Sequence, residues 1–176
     1  MKVTIIGGSG FIGSRLCQCL QNAGIDFTII DKNPSHFFPD KFSIADIRDF
    51  DALYNALQPC DAVINLAAEH RDDVSPKSLY DEVNVKGSEN IVKICSQKSI
   101  QHIIFTSSVA VYGFAPPNTG EDGAINYFND YGRTKWEGEQ VYKTWYEADT
   151  ENRNLTIIRP TVVFGERNRG KGYANL

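Results

Sequence analysis

A tyrosine and a lysine stand four residues apart in the segment Tyr131-Gly132-Arg133-Thr134-Lys135. On a helix, residues at this spacing share one face, so the phenol and the ammonium group would be neighbours. A nearby positive charge favours the phenolate and lowers the pKa of the phenol from its ordinary value of about 10. Tyr131 is therefore predicted to act as a general base near neutral pH, assisted by Lys135. An exposed helical pair without a function is the alternative.

A serine is expected near this pair. The run Thr106-Ser107-Ser108 follows the apolar segment His102 to Thr106, which predicts a strand. Ligands of a parallel sheet bind at the carboxyl ends of its strands. A serine hydroxyl at this end is suited to hold a substrate hydroxyl and to stabilise charge on its oxygen.

A glycine-rich turn precedes the first predicted helix. Gly7, Gly10 and Gly13 form a G-x-x-G-x-x-G pattern between the strand pattern Val3 to Ile6 and the helix pattern Phe11 to Ala23. The glycines allow a tight turn, a close approach of the backbone to a pyrophosphate, and close helix–strand packing. The N–H groups and dipole of the helix then bind the phosphates. A purely structural turn is the alternative, but the flanking strand and helix favour a dinucleotide site.

An acidic residue ends the second predicted strand, Phe27 to Ile30, about 20 residues after the glycines. This residue is Asp31. A carboxylate here accepts hydrogen bonds from both ribose hydroxyls and repels a 2′-phosphate. It predicts NAD rather than NADP as the cofactor, although Lys32 weakens this preference slightly. A turn residue without a ligand is the alternative.

Short apolar runs alternate with helical patterns along the chain. This alternation predicts a parallel sheet covered on both faces, which is a doubly wound Rossmann fold of the α/β class. The remaining strands are predicted at Phe42 to Ala45, Ala62 to Leu66 and Leu155 to Ile158. The remaining helices are predicted at Phe50 to Leu57, Lys77 to Lys98 and Tyr131 to Ala148.

Length and composition restrict the class of protein. A chain of 176 residues suggests one domain, and a net charge of −4 does not indicate a positively charged surface that would bind nucleic acid. The 4 cysteines include no C-x-x-C pair, which favours reduced thiols. No apolar run approaches the ~20 residues of a membrane span, and a strand begins almost at Met1. We therefore expect a cytoplasmic protein without a nucleic-acid partner.

Together these residues resemble the NAD-dependent epimerase/dehydratase branch of the extended short-chain dehydrogenase/reductase superfamily. The matching segments are Gly7 to Gly13, Asp46-Ile47, Asn65 to Ala68, Val83 to Gly87, Ser107 to Gly113, Tyr131 to Lys135 and Arg159-Pro160-Thr161. The resemblance implies that Ser108, Tyr131 and Lys135 are catalytic and that NAD is the cofactor, without a metal. It implies cofactor contacts from Gly7, Gly10, Phe11, Ile12, Gly13, Asp31, Asp46, Ile47, Leu66, Ala67, Ala68, Asn84, Ser107, Tyr131, Lys135 and Pro160.

The resemblance also implies a division into domains. Members of this family usually continue into a smaller C-terminal substrate domain. We therefore expect residues 1–165 to be the NAD-binding Rossmann domain, and residues 166–176 to begin a substrate domain that is truncated in this chain. Arg167 and Arg169 would either contact a diphosphate or belong to a charged tail.

The residues after the serine bear on the reaction. Sugar dehydratases of this branch carry Asp-Glu there, whereas this chain has Val109 and Ala110, which transfer no proton. The resemblance therefore implies a 4-epimerase: Tyr131 takes the proton of a sugar 4-hydroxyl, and NAD removes and returns a hydride through a 4-keto intermediate. A reductase, a dehydratase and a non-catalytic NAD(P)-binding regulator are the alternatives.

Two segments carry a narrower resemblance. Ala67 to Pro76 and Arg159 to Gly170 are similar to bacterial epimerases of surface-polysaccharide assembly, which act on N-acetylhexosamines carried by undecaprenyl diphosphate. This implies a lipid-linked sugar as substrate, at the inner face of the cell membrane, with a sugar nucleotide as the alternative. His70 and Arg71 would lie near the substrate or in a solvated loop. The family also implies a homodimer, for which the helical segments 84–95 and 136–145 are the candidate surface.

Overall fold

The computed structural model describes residues 1–165 and contains a six-stranded parallel sheet of order β3-β2-β1-β4-β5-β6. The strands are β1 (Lys2–Ile6), β2 (Asp26–Asp31), β3 (Phe42–Ile44), β4 (Ala62–Asn65), β5 (His102–Thr106) and β6 (Asn154–Ile158). The chain moves outward from β1 to β3 and then crosses back to β4, so a topological switch point lies between β1 and β4. The predicted doubly wound fold is confirmed.

The helices connect successive strands. They are α1 (Phe11–Asn22), α2 (Phe50–Ala56), α3 (Ser78–Tyr80), α4 (Gly87–Gln97) and α5 (Asp130–Glu147), with 3₁₀ turns at Pro39–Lys41 and Val109–Tyr112. The prediction of one regular helix from Lys77 to Lys98 is wrong in its interior, where Asp81–Lys86 is π-helical. In this π segment the N–H of Gly87 bonds to the carbonyl of Glu82, five residues back rather than four. Strands β3 and β4 each end one residue earlier than predicted.

Apolar side chains fill a core on each face of the sheet. Ile6 and Ile30 belong to the cluster that α2, α4 and α5 cover, whereas Ile5 and Ile29 belong to the cluster that α1 covers. Successive residues of a strand point to opposite faces, so the two clusters follow from continuous apolar runs. The two edge strands, β3 and β6, contain no fully buried residue, and Ile158 at the end of β6 is 47% exposed.

A buried ion pair fixes the end of β6 to α5. The carboxylate of Glu139 is fully buried and accepts two hydrogen bonds from Arg159, from Nε at 2.8 Å and from Nη2 at 2.6 Å. Arg159 also donates to the hydroxyl of Tyr112 and to the carbonyl of Glu121. One guanidinium group therefore joins β6, α5 and the loop that follows the second 3₁₀ turn.

Loss of Arg159 should be costly, because it leaves the buried carboxylate of Glu139 with a longer ion pair, to Lys143 at 3.8 Å, in place of two short hydrogen bonds. We expect Arg159→Met to lower the free energy of unfolding by about 3 kcal/mol, measured by urea titration. The double change Glu139→Leu with Arg159→Met removes both charges and should recover part of this loss, because Glu139 also offsets the charge of the buried Lys135. A single change that costs less than about 1 kcal/mol would contradict the role of the pair.

Candidate active site

The glycine turn after β1 lies against the loop after β4. Gly7 has φ +81°, and a Cβ there would lie 2.5 Å from the backbone nitrogen of Ala67. A Cβ on Gly13 would lie 2.5 Å from Cα of Gly8, so α1 packs directly on the turn. Gly10 is exposed and caps α1 without a side-chain hydrogen bond. The first N–H groups of α1 therefore keep their capacity to bind an anion.

Asp31 lies beside this turn. Its carboxylate accepts hydrogen bonds from the backbone N–H of Ser9 at 3.0 Å and of Asn33 at 2.9 Å. A carboxylate has about four lone-pair positions, so acceptor capacity remains for a ligand. The hydroxyl oxygen of Ser9 is buried and has no hydrogen-bond partner within residues 1–165. A buried hydroxyl without a partner beside an open helix N-terminus fits a ligand with phosphate oxygens.

The first turns of α5 place a buried lysine against the end of β5. Lys135 is 2% exposed, and its Nζ lies 4.2 Å from the ring centroid of Phe105. Burial lowers the pKa of Lys135 to about 7, although the charge of Glu139 acts in the opposite direction. Tyr131 is half-buried and lies one turn before Lys135 on the same helix. The predicted phenol–amine pair is thus located at the carboxyl edge of the sheet.

Two serines follow β5 at the same edge. The hydroxyl of Ser108 accepts a hydrogen bond from the N–H of Ala110 at 3.1 Å, which caps the 3₁₀ turn Val109–Tyr112. Its hydrogen remains able to donate to a substrate oxygen. The hydroxyl of Ser107 is buried and finds no partner among the described residues. The N–H of Val109 bonds to the carbonyl of Pro160 at 3.1 Å, which brings Pro160 beside the serines.

The 3₁₀ turn Val109–Tyr112, together with Ser107 and Ser108 before it, is called the serine turn here, and it contacts α5 through Gly132. A Cβ at this position would lie 2.5 Å from the carbonyl oxygen of Ala110, so α5 packs directly on the 3₁₀ turn. A hydroxyl group, a phenol and a buried amine therefore occupy one edge of the sheet. This combination is suited to the removal of a proton from an alcohol, with a hydrogen bond to hold its oxygen.

The matches with known proteins agree with this arrangement. Residues 3–175 match the model of the NAD dependent epimerase/dehydratase family. The chain belongs to this family.

Within residues 1–165 there is no group of three or more His, Cys, Asp or Glu residues that could hold a metal ion. In the same range, none of the helices has the length and hydropathy of a membrane-spanning segment.

Several relatives are named as sugar epimerases. An Escherichia coli O157:H7 protein named N-acetyl-alpha-D-glucosaminyl-diphospho-ditrans,octacis-undecaprenol 4-epimerase is 51% identical over 98% of this chain and 52% of its own length. A putative UDP-glucose 4-epimerase of Methanocaldococcus jannaschii is 33% identical over 99% of this chain and 60% of its own length. The solved UDP-glucose 4-epimerase of Brucella ovis in complex with NAD is 29% identical, with a TM-score of 0.81 over 90% of this chain and 51% of that one. The chain thus spans little more than half the length of these relatives.

Some of the residues that are predicted to contact the cofactor are already bonded to, or packed against, other residues of this chain. The carboxylate of Asp46 forms an ion pair with Arg48 at 2.8 Å, and Ile47 is buried against Gly87. The amide of Asn84 is bonded within the protein. Leu66, Ala67 and Ala68 are half-buried in the loop after β4, while Phe11 is half-buried and Ile12 exposed at the start of α1. Contact of these residues with a cofactor stays a prediction.

The structure adds two residues that the sequence reasoning missed. Ser9 lies inside the glycine turn, and this position in the sequence could have indicated that it lies near the dinucleotide. Thr134 is fully buried between Tyr131 and Lys135, and its hydroxyl accepts a hydrogen bond from Asn84. The predicted domain boundary stays untested, because residues 166–176, which include Arg167 and Arg169, lie outside the described residues.

Lys135 should lower the stability of the fold in a pH-dependent manner. Its ordinary pKa is 10.5 and burial lowers it to about 7, so the folded state binds fewer protons than the unfolded state between these values. The destabilisation is greatest below the lower value, where a charged amine is buried, and it disappears as the pH approaches the higher one. We expect Lys135→Met to raise the free energy of unfolding by about 2 kcal/mol at a pH of about 6, and by much less at about 10.

Urea unfolding across this pH range measures the effect. The exposed Lys93 on α4 provides the control, since Lys93→Met should leave the pH dependence unchanged. A gain for Lys135→Met that stays constant with pH, or a loss of stability below neutral pH, would refute the assignment of a costly buried amine.

Proposed function

We propose that the protein containing this chain is an NAD-dependent 4-epimerase of a diphosphate-linked sugar. The observation that carries this proposal is the contact of α5 with the end of β5, which buries Lys135 over Phe105 and places Tyr131 and Ser108 at the same edge. A protein that only binds NAD gains nothing from a buried amine that destabilises its fold. The retained amine therefore supports an enzyme over a non-catalytic regulator.

The residues present fit NAD. The turn at Gly7 to Gly13 and the N-terminus of α1 would hold the diphosphate, with the hydroxyl of Ser9, which has no partner among residues 1–165, as a further donor. Asp31 would accept hydrogen bonds from the adenosine ribose. The loop at Leu66 to Ala68 and Pro160 would line the rest of the site. When bound, NAD supplies the hydride acceptor and later the hydride donor at the sugar carbon.

The side chains of this chain would then handle the proton. Ser108 would hold the 4-hydroxyl of the sugar by a hydrogen bond, and the phenolate of Tyr131 would accept its proton. Lys135 would stabilise the phenolate by its charge. After the sugar ring has turned, Tyr131 would return the proton to the oxygen. Val109 and Ala110 offer no second proton-transfer group beside Ser108, which favours epimerisation over dehydration.

The carrier of the sugar is proposed to be a polyprenyl diphosphate. The 51% identical relative is named for an undecaprenol-linked substrate. In addition, Phe114 and Phe128 are 83% and 60% exposed and stack with centroids 4.6 Å apart, in the loop that joins the serine turn to α5. Exposed rings at this edge favour an apolar carrier. A UDP-sugar is the second candidate, because the two other relatives are named as UDP-glucose 4-epimerases.

The assembly and location follow from the same proposal. A lipid-linked substrate would bring the protein to the inner face of the cell membrane. The outer surfaces of α4 and α5 form a groove that Val92, Val141 and Trp145 line, which supports the proposed homodimer through these helices.

Removal of the phenolic hydroxyl should abolish the reaction. The protein containing this chain is incubated in parallel with undecaprenyl-diphosphate N-acetylglucosamine and with UDP-sugars, and the 4-epimer is quantified. Tyr131→Phe should reduce turnover at least ~100-fold, because it removes the general base. Tyr146→Phe, on the same helix, is the control and should keep activity. Absence of epimerisation with both substrate classes would reject the proposed function.

The charge of Asp31 should set the cofactor preference. Asp31→Asn retains an acceptor for the N–H of Ser9 but removes the negative charge and the acceptor for the N–H of Asn33. We expect NAD to bind about tenfold more weakly and NADP to bind more tightly than to the parent chain, measured by calorimetric titration. An unchanged ratio of the two affinities would show that Asp31 does not contact the ribose.

A further inference from the structure

The two residues that precede Lys135 both bind the π segment. The guanidinium of Arg133 forms two hydrogen bonds with Asp81, from Nη1 to Oδ1 at 2.9 Å and from Nη2 to Oδ2 at 2.9 Å. The next residue, Thr134, accepts a hydrogen bond from Nδ2 of Asn84 at 2.9 Å. The turn of α5 between Tyr131 and Lys135 is therefore attached to the π segment at two successive positions.

Asn84 also holds the loop after β4. Its Oδ1 accepts from the N–H of Glu69 at 2.9 Å, and its Nδ2 donates to the carbonyl of Glu69 at 2.9 Å as well as to Thr134. Asn84 is 2% exposed, and both hydrogens of its amide are used within the protein. One buried side chain thus joins the loop containing Ala67 and Ala68 to the catalytic helix.

The hydroxyl of Thr134 is the α5 group to which the side chain of Asn84 donates. It is fully buried, and it donates to the carbonyl of Asp130 at 2.8 Å while it accepts from Asn84. The two helices also approach closely, since a Cβ on Gly138 would lie 3.0 Å from the carbonyl oxygen of Asn84. The wide π turn directs Asn84 to both partners, and π turns are frequent at functional sites.

We infer that Thr134 is a positioning residue: its hydroxyl, held by Asn84, fixes the turn of α5 that carries Tyr131 and Lys135 relative to the loop after β4. The effect of Thr134 on catalysis rests on the proposed function. We assign to Thr134 no contact with substrate or cofactor. A shift of α5 would move the phenol of Tyr131 relative to Ser108, and small misplacements of reacting groups lower the rate strongly.

Three variants separate positioning from general stability. Thr134→Val keeps the shape but removes the hydroxyl, so Asn84 loses its acceptor; Thr134→Ser keeps the hydroxyl. Thr150→Val, at an exposed position in the turn after the same helix, is the matched control. Thr134→Ala is measured alongside in case the valine variant does not fold. Tm is recorded for each variant.

Two readouts are compared in NAD-saturated protein. Turnover with the epimerised sugar should fall about tenfold for Thr134→Val with KM within about twofold, and Thr134→Ser should restore it. The phenol of Tyr131 is titrated by tyrosinate absorbance, each variant measured against the same variant with Tyr131→Phe. The midpoint should move for Thr134→Val and stay at the parent value for Thr134→Ser and Thr150→Val.

The phenol titration needs no turnover, so it distinguishes the two proposals. If the midpoint of the phenol titration moves in Thr134→Val but the parent protein epimerises no sugar, the positioning role is supported and the proposed function is rejected. Parent values of both the midpoint and kcat in Thr134→Val, or in Thr134→Ala where the valine variant is unfolded, would overturn the inference.

Discussion

The contact of α5 with the end of β5 is the interaction on which the rest of the site depends. It buries the amine of Lys135 over the ring of Phe105, at a position that would be filled more stably by an apolar side chain. Such a placement persists because the surrounding packing determines it. Gly132 allows α5 to rest on the serine turn, and Gly138 allows it to rest on the π segment. The packing of α5 that buries Lys135 therefore causes both the cost in stability and the proposed chemistry.

Packing also determines which groups are available to a ligand in the predicted cofactor site. Close packing around Gly7 and Gly13 leaves the N-terminus of α1 open, and Asp31 is held beside it by backbone hydrogen bonds. Two buried serine hydroxyls, of Ser9 and Ser107, lack partners within residues 1–165. Both lie at the carboxyl edge of the sheet, where a bound ligand would satisfy them. Local departures from good hydrogen bonding are expected at functional sites.

The sequence predicted those features that are encoded over short distances. The doubly wound parallel sheet follows from the alternation of apolar runs with helical patterns, and the glycine turn, Asp31 and the Tyr131–Lys135 pair follow from spacing within one or two elements. The π segment and the bond from Asn84 to Thr134 could not be predicted, because the partners are 50 residues apart and the apolar pattern is that of an ordinary helix. The pairing of Arg159 with Glu139 likewise depends on how β6 packs against α5. Long-range polar contacts of this kind leave no periodic signal.

We expect the phenol of Tyr131 and the amine of Lys135 to face a dinucleotide bound over the glycine turn. A crystal structure of the chain with NAD would reveal this arrangement. We predict the diphosphate at the N-terminus of α1 and the nicotinamide end within about 4 Å of the hydroxyl of Tyr131. A dinucleotide bound elsewhere, or a Tyr131 side chain directed away from the nicotinamide, would contradict it.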